Sequence, residues 1–253
     1  MRDLRARINL VVAALISFWS VSVAFAADND IRLSPAFNRE DFRLLTRELG
    51  FAASYFPLAP AEPLGILGFD IGVEATAVNI SEKSGFWQKA IRDGSAPSYL
   101  IIPRLHAQKG LPFNIDIGAS YTMVPGTNIS LAGGEVKWAV IPGNVVLPAI
   151  AIRGSATKLF GGSEINLETY QADISISKGI AFLTPYAGIG QLWVNSRTDS
   201  AAVRSINGVD FRETESMTKG YVGLKIKLIP FSLVGQVDWS VVTAYSLRLN
   251  ISF

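Results

Sequence analysis

The last nine residues, Tyr245-Ser246-Leu247-Arg248-Leu249-Asn250-Ile251-Ser252-Phe253, alternate without a break. Tyr245, Leu247, Leu249, Ile251 and Phe253 fall on one face, and Ser246, Arg248, Asn250 and Ser252 on the other. Side chains of an extended strand point alternately to opposite sides, so this stretch is a strand with one apolar and one polar face. The same period recurs upstream. Phe113, Ile115, Ile117, Ala119, Tyr121 and Met123 alternate with Asn114, Asp116, Gly118, Ser120 and Thr122. Tyr170, Ala172, Ile174 and Ile176 alternate with polar residues, as do Val222, Leu224, Ile226 and Leu228.

Followed along the chain, the pattern predicts ten strands, at 64–80, 98–108, 112–124, 130–141, 146–158, 167–178, 182–196, 217–228, 231–240 and 243–253. Eight or twelve are the alternative counts. The 182–196 segment is ambiguous in phase. Pro103 lacks a ladder donor and predicts a bulge or a gap in its strand.

Period two does not say which face is inside. The spacing of the strands does. Odd-numbered connections are 81–97, 125–129, 159–166, 197–216 and 241–242; even-numbered ones are 109–111, 142–145, 179–181 and 229–230. The even ones are all tight and the long ones are all odd. Short turns at one end and longer loops at the other mark an antiparallel up-and-down transmembrane β-barrel. On this topology Tyr99, Tyr121, Tyr170, Trp193, Trp239 and Tyr245 sit near the loop ends of their strands, and Phe113, Trp138, Phe231 and Phe253 near the turn ends. Two girdles of aromatic rings suit the two interfaces of a bilayer. A spanning strand takes ~9–11 residues, so residues 64–253 accommodate about ten strands and not sixteen. A wide, open monomeric channel is excluded.

The N-terminus predicts export. Arg2, Arg5 and Arg7 precede an apolar run from Ile8 to Val23, and Ala24-Phe25-Ala26 is a small-x-small cleavage site. Residues 1–26 read as a signal peptide. Removing its three arginines and one aspartate from the 23 basic and 21 acidic residues leaves twenty of each. A neutral mature chain gives no electrostatic case for nucleic acid. There is no cysteine, which excludes disulfides, thiolate metal sites and cysteine nucleophiles. After residue 26 no apolar run approaches the length of a helical span.

Residues 27–63 precede the barrel. Asn38 is an N-cap with Asp41 three residues on, Phe37 and Phe42 form a hydrophobic staple, and Gly50 suits the position after the last turn. A short amphipathic helix over 39–49 is predicted, followed by Phe51 to Phe56 and a stiff linker with Pro57, Pro60 and Pro63. This segment has three possible places: the periplasm, the periplasmic mouth as a cap, or the lumen as a plug.

The polar face carries both signs. By parity Asp70, Glu74, Asp116, Glu135, Asp173 and Asp238 point inward, with Arg104, Lys137, Arg153, Lys158, Lys225, Lys227 and Arg248. They form either an ion-pair network that fills a narrow barrel or the lining of a polar conduit. The single histidine, His106, is inward beside Arg104 and Gln108. A hydrolase would have to use it, yet it reads as lying near the tight turn, away from external substrate, with no partner set. One histidine and no cysteine leave no metal set, and no cofactor is expected. Gly133-Gly134 and Gly161-Gly162 lie in or beside strands with no helix following, so they are strand kinks and turns rather than phosphate loops.

A narrower resemblance rests on Leu58-Ala59-Pro60-Ala61-Glu62-Pro63-Leu64-Gly65, on Gly68-Phe69-Asp70-Ile71-Gly72-Val73-Glu74, and on Ser177-Lys178-Gly179 with Phe182-Leu183-Thr184-Pro185-Tyr186-Ala187-Gly188. These stretches resemble a family of uncharacterised outer-membrane barrels of Gram-negative bacteria. The terminal strand is similar to those that end in an aromatic residue read by the barrel insertion machinery. The resemblance implies fold, location and that machinery as a partner; it implies no active-site residue. Outer-membrane lipid and lipopolysaccharide are the other expected partners, the latter through loop cations such as Lys83, Lys89, Arg197, Arg204 and Arg212. Three functions follow from these readings: a narrow pore or transporter gated by the N-terminal segment, a structural or surface-interaction barrel with a filled interior, and a membrane hydrolase dependent on His106.

Overall fold

The computed structural model describes residues 33–90, 96–124, 127–162 and 164–252. The signal-peptide reading and Phe253 lie outside them. The described residues form ten antiparallel strands in one closed barrel, each paired with its sequence neighbours and β1 with β10. The strands are β1 (Phe69–Asn79), β2 (Tyr99–Leu111), β3 (Ile115–Met123), β4 (Ser130–Ile141), β5 (Ala149–Phe160), β6 (Ile165–Ser177), β7 (Leu183–Thr198), β8 (Arg212–Leu228), β9 (Phe231–Trp239) and β10 (Thr243–Ser252). Three helices accompany them: α1 (Arg39–Ala53), α2 (Gly85–Ala90) between β1 and β2, and α3 (Ala201–Asn207) between β7 and β8.

The barrel is inside-out relative to a water-soluble one. Ile71, Leu105, Ile117, Val136, Ile152, Ile174, Ile189, Val222 and Leu247 are exposed on the outer face, whereas Glu74, Arg104, Asp116, Lys137, Asp238 and Arg248 are buried inside. Burial alternates along each ladder, so the phase of every strand is set by which residues face this polar interior. Apolar residues turned outward in every strand suit hydrocarbon; in water they would be an extended adhesive surface. The outer rings at Tyr99, Tyr121, Trp138, Tyr170, Trp193, Trp239 and Tyr245 expose 40–49 % of their surface. Tyr170 and Trp193 stand directly opposite on β6 and β7.

Several boundaries differ from the sequence reading. Residues 64–68 are a turn rather than the start of β1, with Gly68 N–H donating to Gly65 O at 2.9 Å. The β2–β3 turn is Pro112–Asn114, three residues later than 109–111. Phe113 is therefore a turn residue with φ 64°, not a strand residue, although it stays exposed at that end. β5 begins at Ala149 because Asn144 Oδ1 accepts from Val146 and Leu147 N–H and holds residues 144–147 in a turn. β8 begins at Arg212, five residues early, and pairs with β7 up to Arg197↔Arg212 as a long hairpin, flanked to the same height by β6 at Ile165↔Thr198. Pro103 makes no bulge against β1, where it sits opposite Ala75 in continuous register. Instead the ladder with β3 stops at Leu105, so the missing donor faces no partner.

Helix α1 starts as read, with a capping box between Asn38 and Asp41, but runs to Ala53. Gly50 lies inside it. A Cβ there would stand 2.5 Å from both Val194 methyls, so this glycine permits close packing on β7 and does not end the helix. The apolar stripe of α1, with Phe42, Leu45 and Phe51, meets inward Leu192 and Val194 of β7, Met217 of β8, Leu167 of β6 and Val78 of β1 in one buried core. The loop half of the lumen is thus apolar, and the turn half is polar.

Candidate functional site

Residues 33–63 run through the lumen from the loop end to the turn end. At the loop end Leu33 N–H donates to Glu164 Oε2 at 2.6 Å and Ser34 N–H to Lys89 O at 2.8 Å. Helix α1 lies beneath α2 and α3: Lys89 pairs with Asp41 at 2.7 Å, and Trp87 Nε1 donates to Glu48 Oε2 at 2.7 Å. Arg39 meets Glu213 on the long hairpin at 2.6 Å. Glu40, on the outer side of α1, has its carboxyl held below the usual range by a hydrogen bond from Arg43.

Beyond Ala53 the chain leaves the helix and pairs with no strand among the described residues; within it Leu58 N–H donates to Phe56 O at 3.0 Å and Ala59 N–H to Pro57 O at 2.6 Å. Carbonyls without a ladder partner must find donors or cost free energy. Basic side chains from five strands supply them. Arg104 (β2) donates to Ser54 O at 3.3 Å, Lys219 (β8) to Tyr55 O at 2.9 Å, Arg153 (β5) to Pro57 O at 3.4 Å and Arg248 (β10) to Leu58 O at 3.1 Å. Lys137 (β4) donates to Pro60 O at 3.0 Å and Glu62 O at 2.8 Å. Pro57 and Pro60 carry no N–H, which removes two donors that this polar wall would otherwise have to satisfy.

Each of these cations also holds a wall carboxylate. Glu74 takes Arg104 at 2.9 Å and Arg248 at 2.7 Å; Asp116 takes Lys137 at 2.9 Å; Glu135 takes Arg153 at 3.0 Å; Asp238 takes Lys219 at 3.5 Å. A cation bonded on two sides is fixed in direction, so the wall presents the segment with preset donors. Asp173 is held by Tyr221 Oη at 2.7 Å and Gln171 Nε2 at 3.1 Å. Asp70 accepts from Asn250 Nδ2 and lies 3.5 Å from Lys225. All twelve lumen-facing residues singled out from the sequence (Asp70, Glu74, Arg104, His106, Asp116, Glu135, Lys137, Arg153, Asp173, Lys225, Asp238 and Arg248) are buried inside the barrel.

Two placements need correction. Lys158 faces outward and pairs with Glu168 at 2.6 Å, because inward residues of β5 are odd-numbered, like Arg153. Lys227 keeps the inward phase but is exposed at the turn-end mouth, 4.0 Å from Glu62. His106 is not beside a turn: β2 continues five residues past it, and it lies enclosed with Asp70 at 3.9 Å, Glu135 at 3.6 Å and the Tyr55 ring 6.5 Å away. No serine or threonine hydroxyl is bonded to it among the described residues, so no activated nucleophile is assembled.

Sequence reasoning missed Lys219, Tyr186 and Tyr221. Tyr186 stands opposite Gly223 and Tyr221 opposite Gly188, each ring lying across the glycine of the neighbouring strand. The exchange lets two large inward rings fit a narrow lumen. Gly133 is neither kink nor turn; a Cβ there would come within 3.1 Å of the Tyr55 ring.

The family of unknown function DUF6588 matches residues 99–253. The chain belongs to this family. The matched span covers β2 to β10 of this member, and thus all five cations that hold residues 54–62. No curated protein matches the sequence. Among solved structures, the N-terminal β-barrel domain of Pseudomonas aeruginosa OprF is similar at 13% identity and a TM-score of 0.32, covering 75% of this chain and 99% of that one. Ail, the attachment invasion locus protein of Yersinia pestis, is similar at 11% identity and a TM-score of 0.32, covering 74% and 97%. The KdgM porin in complex with disordered oligogalacturonate is similar at 11% identity and a TM-score of 0.37, covering 74% and 99%.

Proposed function

We propose that this protein is an outer-membrane barrel closed by its own N-terminal segment, with the loop end at the cell surface and the turn end in the periplasm. Its contacts with partners are made at the loop end, and in the resting state it neither conducts nor catalyses. One observation carries this reading: five basic residues from five strands each bridge a wall carboxylate to a carbonyl of residues 54–62. Hydrogen bonds to charged groups contribute ~1.5–3 kcal/mol each, so the segment is held along its length.

The loop-end cations are mostly engaged within the protein. Arg204 pairs with Asp210 at 2.8 Å and Arg197 with Asp199 at 3.1 Å. They favour a structured surface over a free cationic patch for lipopolysaccharide. The terminal strand β10, which seals the barrel against β1, is the segment that insertion machinery would read.

A gated conduit is the second reading, and one observation favours it. The wall carboxylates and cations pair with one another, so withdrawal of residues 33–63 would leave a neutral, wettable lining rather than stranded charge. Single-channel recording in planar bilayers tests both. Mature protein is expected to be silent. Discrete openings from a variant lacking residues 27–63 would identify a gated conduit. Silence from both, with folding confirmed, would leave a closed surface barrel. Steady openings from the intact protein would overturn the closed state.

A further inference from the structure

At the turn end a cavity of about 270 Å³ lies between the wall and the descending segment. Its apolar side is Leu58, Pro63, Leu64 and Phe231; its polar side includes Glu62, Gln108, Lys225 and Lys227. Two other polar lining groups are engaged at least in part. Lys137 uses its ammonium on Asp116, Pro60 O and Glu62 O, and Asp70 is bonded by Asn250 at one oxygen while its Oδ1, without a hydrogen-bond partner among the described residues, faces His106 at 3.9 Å.

The groups left over carry opposite character. Gln108 is 4 % exposed, and its Nε2 has no hydrogen-bond partner among the described residues. A buried amide donor left unsatisfied costs about 1–3 kcal/mol, so a site that keeps one is built to meet an acceptor. Lys225 is largely buried, and the nearest acid stands 3.5 Å away, on an Asp70 that Asn250 already bonds. Lys227 and Glu62 face each other at 4.0 Å, too far for a hydrogen bond, at the rim. The cavity therefore offers the donors of Gln108 and Lys225 in depth and the Glu62 carboxylate at its mouth, with an apolar wall between.

We propose that this cavity binds a small zwitterion, an α-amino acid or the end of a short peptide. The ligand carboxylate lies toward Gln108 and Lys225, its ammonium toward Glu62, and its side chain against Pro63 and Phe231. A ligand carrying both charges leaves the lining neutral, which a simple anion would not. The site does not depend on whether the barrel conducts or which end faces out.

Calorimetric titration of the full mature protein in detergent micelles tests it, with L-phenylalanine, 3-phenylpropionate and 2-phenylethylamine as probes. Phenylalanine is expected to bind, and each analogue, lacking one charge, to bind at least tenfold more weakly. Glu62→Gln and Lys227→Gln alter a half-buried and an exposed rim residue and leave the fold intact. Glu62→Gln is expected to weaken phenylalanine binding while leaving phenylpropionate unchanged. Equal binding of phenylpropionate and phenylalanine would show a plain anion site and overturn the assignment. So would no heat from any probe with protein whose folding is confirmed.

Discussion

The ammonium of Lys219 lies 3.9 Å from the centroid of the Phe56 ring while donating to the carbonyl of Tyr55, the residue before it. One wall side chain thus grips the threaded segment by its main chain and by an aromatic face, and Asp238 stands 3.5 Å behind it. Burial of a charge is tolerable only with such compensation.

Lys219→Met keeps the stem and removes the charge, which leaves Asp238 buried with Gln236 as its remaining donor. Removing one partner of a buried pair costs roughly 3–5 kcal/mol. The variant is expected to unfold at markedly lower denaturant in micelles. Lys219→Met with Asp238→Asn is expected to recover part of the loss. A cycle in which the two changes are strictly additive would show that the pair does not interact.

Gly133 and Gly134 are adjacent on β4 but face opposite ways. A side chain at Gly133 meets the Tyr55 ring and the hydroxyls of Ser120 and Thr157, whereas one at Gly134 comes no closer than 3.7 Å to Gly118 O. Gly133→Leu is expected to push Tyr55 aside and give measurable bilayer conductance. Gly134→Leu, on the outer face, is expected to remain silent. Identical traces from both would mean that Tyr55 does not occupy the lumen at that level.

The strands were legible because a wall between two unlike media imposes period two on every residue. Where the media are alike the signal fades. Leu192 and Val194 pack on α1 while Trp193 faces outward, so three apolar residues run together and the phase of β7 is lost from sequence. The path of residues 54–62 was illegible for another reason: its partners bind main-chain carbonyls, which have no residue-type signature. Lys219 was within reach, since it falls inside the predicted 217–228 strand and shares the parity of Lys225, but the alternation on that strand is legible only from Val222 onward.

The outer face gives a sharper test of the medium. Ile174 is 50 % exposed, between Ile152 and Ile189 on the neighbouring strands. In water Ile174→Arg would change stability by at most ~0.5 kcal/mol. In hydrocarbon near the midplane the same change costs about 2–4 kcal/mol. A large loss of stability in lipid vesicles is expected, together with a small one for Asn195→Arg, which also faces outward but lies beyond the Trp193 ring. A neutral Ile174→Arg would place this belt in water.

The threaded segment sets the end of the barrel at which Leu33 lies. Leu33, Ser34 and α1 are held by the loop end, and β1 starts only after the chain has passed down the lumen to the turn end. With the loops at the cell surface, residues near Ala36 are external although they precede the barrel. The chain contains no cysteine, so single introduced thiols report without background. Ala36→Cys, Val209→Cys and Leu67→Cys all fall at exposed sites, the first two at the loop end and the last at the turn end. A membrane-impermeant maleimide applied to intact cells is expected to label the first two and to reach Leu67→Cys only after the outer membrane is opened. Labelling of Val209→Cys without Ala36→Cys would keep the orientation and refute the threading. Labelling of Leu67→Cys alone would reverse the orientation itself.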